Sequence, residues 1–144
     1  MSTSSSLPQI FVHNRQRQLT VDRLELERFA RRALPLCASQ GRAGLTTLEE
    51  VNVLLVSDRR IAKLHRRFMR IPGPTDVITF QHGEIFISLE TAARQAEAER
   101  TSVEHELKLY LVHGLLHLQG LGDEDPANRR RMHKMQEEVV ARLR

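Results

Sequence analysis

Asp76-Val77-Ile78-Thr79-Phe80-Gln81-His82-Gly83-Glu84-Ile85-Phe86-Ile87-Ser88 decides the fold class. Asp76 to Phe80 and Glu84 to Ser88 are rich in β-branched and aromatic side chains, and the Gln81-His82-Gly83 link between them is short enough for a tight turn. The two runs read as the antiparallel strands of a hairpin. A hairpin excludes an all-parallel sheet, and helical patterns lie on both sides of it. The expectation is an α+β fold, about five helices covering a small mixed β-sheet with a β-hairpin, in a single domain.

Upstream, Pro72-Gly73-Pro74 breaks a helix that Ser57 or Asp58 can cap and that runs to about Met69, with Ile61, Leu64 and Phe68 facing inward. Glu50 to Val56 reads as a strand through Val51, Val53 and Val56. Gly41 to Thr47 reads as a loop. Before it, Leu24, Leu26, Phe29, Ala30, Ala33 and Leu34 recur at near-helical spacing from about Val21, and Pro35 should end or kink that helix. Gln9 to Asn14 reads as a short edge strand. Met1 to Pro8, rich in Ser and Thr, reads as disordered, which leaves 9–144 as one metal-dependent hydrolase domain. Downstream, Ser88 can cap an alanine-rich helix to about Arg100. Thr101 with Glu104 has the form of a capping box opening the next helix, which Gly120 stops, and a last helix begins near Pro126.

The chain has 144 residues, 40% of them hydrophobic and 28% charged, enough for one core without disulfides and too few for a second domain. Cys37 is the only cysteine, which excludes an intrachain disulfide framework and a multi-cysteine zinc knuckle. No stretch approaches the roughly 20 apolar residues of a membrane span, and Met1 to Leu7 lacks the pattern of a secretion signal, so a cytoplasmic protein is expected. The net charge of +4 permits a nucleic-acid partner without demanding one.

The chemistry is concentrated in His113-Gly114-Leu115-Leu116-His117-Leu118-Gln119-Gly120-Leu121-Gly122-Asp123. At about 100° per residue, a spacing of four puts both imidazoles on one helix face. Taken alone, such a pair often arises by chance. Here Leu107, Leu111, Val112, Leu115, Leu116 and Leu118 surround it, and burying two imidazoles among them is costly without a partner. A metal ion supplies one. Gly120 can turn the chain back so that Asp123 adds a carboxylate, with Glu124 and Asp125 as rivals; Asp125 precedes Pro126 and suits an N-cap better. Two nitrogens and one oxygen suit Zn2+, one per chain, with a fourth position left for a water whose pKa falls from 15.7 toward roughly 7. The spacing also matches zinc metallopeptidases, but those place a glutamate base directly after the first histidine, where this chain has Gly114.

Arg59, Lys63, Arg66 and Arg70 recur at four, three and four along the helix after Ser57, forming one basic stripe. Such a stripe is either a solvated face or a track for phosphates. Arg70, at its end, is the candidate catalytic residue, a guanidinium that could neutralise charge building on a phosphoryl group. Arg129-Arg130-Arg131 and Lys134 could extend the surface. Glu104 and Glu106 read as solvated or as outer partners of the metal site.

These segments together resemble the YbeY family of bacterial endoribonucleases, whose signature reads H-G-x-L-H-L-x-G-x-D-H. His113 to Gly120 matches it, Pro74 to Phe80 is similar to the family's P-T-D-V-L-S-F, Gly83 to Ser88 to its G-D-I-x-I-S, and Met132 and Gln136-Glu137-Glu138 fall in register. Where the signature ends in aspartate and histidine this chain has Gly122 and Asp123, so Asp123 takes the third-ligand place by position. Where the family has an aromatic followed by an arginine implicated in activity, this chain has Phe68 and Met69, with Arg70 one residue later. The resemblance implies a zinc-dependent, single-strand-specific endoribonuclease of small-subunit ribosomal RNA maturation, with ribosomal proteins or a maturation factor as partners. The rival reading is a non-catalytic ribosome-assembly module that the metal merely stabilises.

Overall fold

The computed structural model describes residues 6–41 and 43–144. Four strands, β1 (Gln9–Asn14), β2 (Glu50–Val56), β3 (Val77–Phe80) and β4 (Glu84–Ser88), form one sheet in the order β1-β2-β4-β3. β1 with β2 and β2 with β4 run parallel, and β3 returns antiparallel to β4. The helices are α1 (Arg23–Ala38), α2 (Asp58–Met69), α3 (Leu89–Glu99), α4 (Val103–Gln119) and α5 (Pro126–Arg142). The mixed α+β sheet with its hairpin is as expected. Of the segment read as disordered, residues 1–5 lie outside the described residues, and Pro8 is buried.

Alternation along the strands sorts the core into two layers. Val51, Val53 and Leu55 of β2 with Ile85 and Ile87 of β4 pack with α1, α4 and α5, while Leu54, Val56, Ile78, Phe80 and Phe86 pack with Ile61 and Leu64 of α2 on the other side. Both faces of the central strands are covered, which is why β2 is continuously apolar from Val53 to Val56. The outer edge of β1 is closed by α1: the Val12 N–H donates to Glu27 at 2.9 Å, and Arg23 donates to the Val12 carbonyl at 2.9 Å. The Val12 amide, with Arg31 and Arg23 helping, outweighs burial and holds the Glu27 carboxyl below its usual range.

Three local expectations are corrected. Pro35 does not end α1; it sits exposed inside a helix that continues to Ala38, with Leu34 and Cys37 buried on the core side. Burying a leucine contributes about 1.5–3 kcal/mol, comparable to the ~3 kcal/mol that an interior proline costs. α4 is capped by Ser102, whose hydroxyl accepts from the His105 N–H, rather than by Thr101, which donates to a buried Glu106 at 2.6 Å. Glu106 is therefore not solvated. Phe68 does not face inward: it is 56% exposed, and Leu24 of α1 is also on the surface. The 41–47 connection includes a single 3-10 turn, Leu45–Thr47.

A buried amide fixes the end of α4. Gln119 accepts from the Leu45 N–H at 3.0 Å and donates to the carbonyls of Ala38 and Gln40, both at 2.9 Å. Gly44 passes so close to the Leu118 carbonyl that a Cβ there could not be accommodated. The last turn of α4, which carries His117, is thereby tied to the connection between α1 and β2.

Candidate metal centre

His113 and His117 lie one turn apart on α4, their rings edge to face with centroids 4.6 Å apart. Gly120 closes the helix at φ 109°, its N–H bonding to the His117 carbonyl while Leu121 bonds back to Leu116. The reversal returns Asp123 to the histidines, with its Oδ2 at 3.5 Å from His113 Nε2 and 3.4 Å from His117 Nε2. Those separations exceed the 2.7–2.9 Å of a charge-assisted hydrogen bond. They match the edge of about 3.3 Å expected between ligands held 2.0–2.1 Å from one tetrahedral ion. The three donor atoms all lie within 4.8 Å of one another, and no other group of three His, Cys, Asp or Glu among the described residues gathers in this way.

The surrounding residues aim the donors. His113 Nδ1 is 2.6 Å from Gln136 Oε1 on α5, and since an amide oxygen only accepts, Nδ1 carries the proton and Nε2 presents its lone pair toward Asp123. Burial, reinforced by His117, lowers the His113 pKa against the pull of Gln136, Asp123 and Asp76, so the ring is neutral at pH 7. Arg129 reaches the carbonyls of Asp123 and Glu124, each at 3.4 Å, and holds the turn. Asp125 caps α5 by accepting from the Asn128 N–H at 2.8 Å, with Pro126 in the first turn, as its position suggested. The Glu124 carboxylate folds back against Gly122, so of the three acids only Asp123 joins the histidines.

Two clefts, of about 560 and 370 Å³, meet at Asp76, Val77, His113 and Asp123. The first runs between α3, α4 and α5 past Glu106, Tyr110 and His133. The second follows β3 from Thr75 to Gln81 and includes Met69 and His117. The donors thus sit midway along a continuous groove. Asp76, which lines both clefts, and Gln136 were not singled out as site residues by spacing on one helix, because tertiary packing brings them there; their only sequence signal was their place in the matched segments.

The basic stripe lies on α2, across the sheet from α4. Arg59, Lys63, Arg66 and Arg70 are all exposed, and Arg70 occupies the left-handed C-cap at φ 57°. Met69 lines the second cleft and Arg70 does not, so the structure brings the stripe to the groove's end without setting the Arg70 side chain beside the histidines.

The model of the family described as endoribonuclease YbeY matches residues 11–144. The chain belongs to that family. It is 42% identical over 123 residues to the endoribonuclease YbeY of an Anaeromyxobacter species, covering 78% of this chain and 62% of that protein. It is 32% identical over 152 residues to the Frankia alni endoribonuclease YbeY, covering 92% and 81%. The solution structure of TM1509 from Thermotoga maritima superimposes with a TM-score of 0.64 at 25% identity, over 93% of this chain and 88% of that one. No helix among the described residues is long and apolar enough to cross a membrane.

Within this YbeY fold, Gly114 explains itself. α4 crosses β4 there, and a Cβ on Gly114 would lie 2.7 Å from Ile85 Cγ2. The place of a metallopeptidase's glutamate therefore points into the sheet. Gln136, buried on α5, touches the donor set only through His113, and Gln136→Ala should bind a divalent metal ion roughly 10- to 100-fold more weakly while the helix content is kept. Competition with a chromophoric chelator measures this, and unchanged affinity would show that the Gln136 contact does not orient His113.

Proposed function

We propose that this chain is a metal-dependent endoribonuclease acting on single-stranded RNA in small-subunit ribosomal RNA maturation, with one Zn2+ held by His113, His117 and Asp123. The observation that carries the reading is the pair of separations, 3.5 and 3.4 Å, between one carboxylate oxygen and two imidazole nitrogens. Two neutral nitrogens and one anionic oxygen form a borderline donor set that suits zinc. The endoribonuclease names of the relatives support the RNA reading. The chain spans 62% of the Anaeromyxobacter protein's length.

Zinc bound there would supply a nucleophilic water at neutral pH and a Lewis acid for a phosphoryl oxygen. The chain's own residues do the rest. Gln136 keeps His113 Nε2 unprotonated and aimed at the groove, and Arg129 holds the turn that presents Asp123. Arg59, Lys63, Arg66 and Arg70 bind backbone phosphates and hold the strand at the groove's end, with Arg70, which follows the cleft-lining Met69, as the candidate to meet the charge that develops on the phosphoryl group. Ribosomal proteins or a maturation factor in the cytoplasm would deliver the substrate.

Protein purified without chelator or nickel resin should contain about one zinc per chain. Asp123→Ala should weaken zinc binding at least 10- to 100-fold, since even outer-shell losses cost that much. Affinity unchanged in Asp123→Ala would remove Asp123 from the ligand set and overturn the proposed centre.

A further inference from the structure

Phe68 closes α2 where a periodic pattern would bury it, yet it is 56% exposed, beside Met69 at 45% and Ile71 at 48%. Its ring is not loose. It leans edge-on against Phe80 at 5.2 Å, Phe80 meets Phe86 edge-on at 5.8 Å, and His82 stacks on Phe80 at 5.9 Å with planes 24° apart. Phe86 is buried in the layer between α2 and the sheet and Phe80 packs half-buried against that layer, so Phe68 is a ring on a fixed mount. The chain has five phenylalanines, one tyrosine and no tryptophan, and three of those phenylalanines are spent on this corner.

The corner adjoins the metal groove. Met69, next to Phe68, and Gln81, between Phe80 and His82, both line the cleft that holds His113, His117 and Asp123. Its α2 side is basic: residues 59–75 contain six Lys and Arg and no Asp or Glu, while on the hairpin side His82 pairs with Glu84 at 2.8 Å. Among the described residues none of those six is in an ion pair, and the Arg67 guanidinium lies over the Phe68 ring, 5.4 Å from its centroid. An apolar patch alone would suit a protein partner. Rings set among unpaired cations at the mouth of a phosphodiesterase groove suit a polyanion that carries flat π-faces.

We propose that Phe68, mounted on Phe80 and flanked by Arg67, is a stacking platform for an unpaired nucleobase of the RNA strand that continues into the metal cleft. The proposal rests on the endoribonuclease reading and names how that substrate is gripped: the base stacks on the ring while Arg66, Arg67 and Arg70 take the adjoining phosphates. A duplex keeps its bases stacked on one another, so the platform selects single strands.

Fluorescence anisotropy of the zinc-loaded protein with a labelled single-stranded oligoadenylate, in the cold and with RNA integrity checked on a gel, tests this. Phe68→Leu keeps apolar bulk and removes the ring; it should bind roughly 5- to 100-fold more weakly. Phe68→Trp should bind at least as well as the wild type. An oligonucleotide with abasic positions should weaken wild-type binding and erase the difference from Phe68→Leu. Equal binding by Phe68→Leu and wild type on the intact strand overturns the platform and leaves the patch to a protein partner. A difference that persists on abasic RNA overturns it too. Wild-type protein that neither holds nor cuts single-stranded RNA would instead bring down the endoribonuclease reading beneath it.

Discussion

His117→Ala should fold normally and stop cutting RNA. The His117 side chain is 24% exposed at the groove, whereas Leu116 and Leu118 on either side of it are buried, so truncation removes a donor without opening the core. What remains is one imidazole and one carboxylate. Loss of a direct ligand should exceed the 10- to 100-fold penalty typical of outer-shell changes, leaving the site empty at ordinary zinc concentrations. With the ion goes the lowering of a water's pKa from 15.7 toward roughly 7, a difference too large for the stripe on α2 to replace. Circular dichroism, zinc content and cleavage of a labelled single-stranded RNA measured on the same preparation check all three points. A folded, zinc-free variant that still cuts would overturn the proposed function. An unfolded variant beside a wild type that never cuts would favour the assembly module, in which the ion only pins the turn between α4 and α5.

Gly114→Glu, which would restore a metallopeptidase's order of residues, should instead abolish folding. A Cβ at this position would sit 2.7, 2.8 and 3.0 Å from Ile85 Cγ2, Cδ1 and Cγ1, and Ile85 is fully buried in the central strand β4. The added carboxylate would have to be buried in the layer between helix and sheet, or push α4 off it. An unpaired buried charge costs several kcal/mol, and overpacking adds about 1–3, against a total stability of about 5–15 kcal/mol for a domain. Gly114→Ala isolates the steric part. It gains about 1 kcal/mol of helix propensity and loses more to the clash, so a net destabilisation of the order of 1 kcal/mol is expected by urea denaturation. In an Ile85→Ala background the same substitution should become neutral or stabilising, because the atoms it meets are gone. Additive effects of the two substitutions, or a Gly114→Glu protein with native stability, would show that α4 does not rest on β4 here.

Much of this was legible in the chain. β2, β4, α2 and α5 have the limits that valines, caps and the Asp125-Pro126 step suggest, because such signals act within a few residues. The histidine pair was legible for the same reason: a spacing of four on one helix is local geometry. Pro35, Thr101 and Phe68 went the other way. The burial of Leu34 and Cys37 overrides a proline, a buried Glu106 draws Thr101 away from capping, and the second core layer stops at Leu64, leaving Phe68 outside. Each outcome depends on which side chains the tertiary packing buries or on where the core ends.

The order of residues alone determined the α+β class, the hairpin, and a metal-ligand pattern ending in an acid after a glycine, since periodicity, turn chemistry and helical spacing are properties of short segments. Only the tertiary structure decided that Asp123 rather than Glu124 turns to the histidines, that Gln136 fixes the His113 proton, that Asp76 lines the groove just ahead of β3, and that the basic stripe ends beside exposed rings rather than at the histidines. Those are meetings between α2, β3, α4 and α5, and packing settles them because no short-range preference acts across such separations.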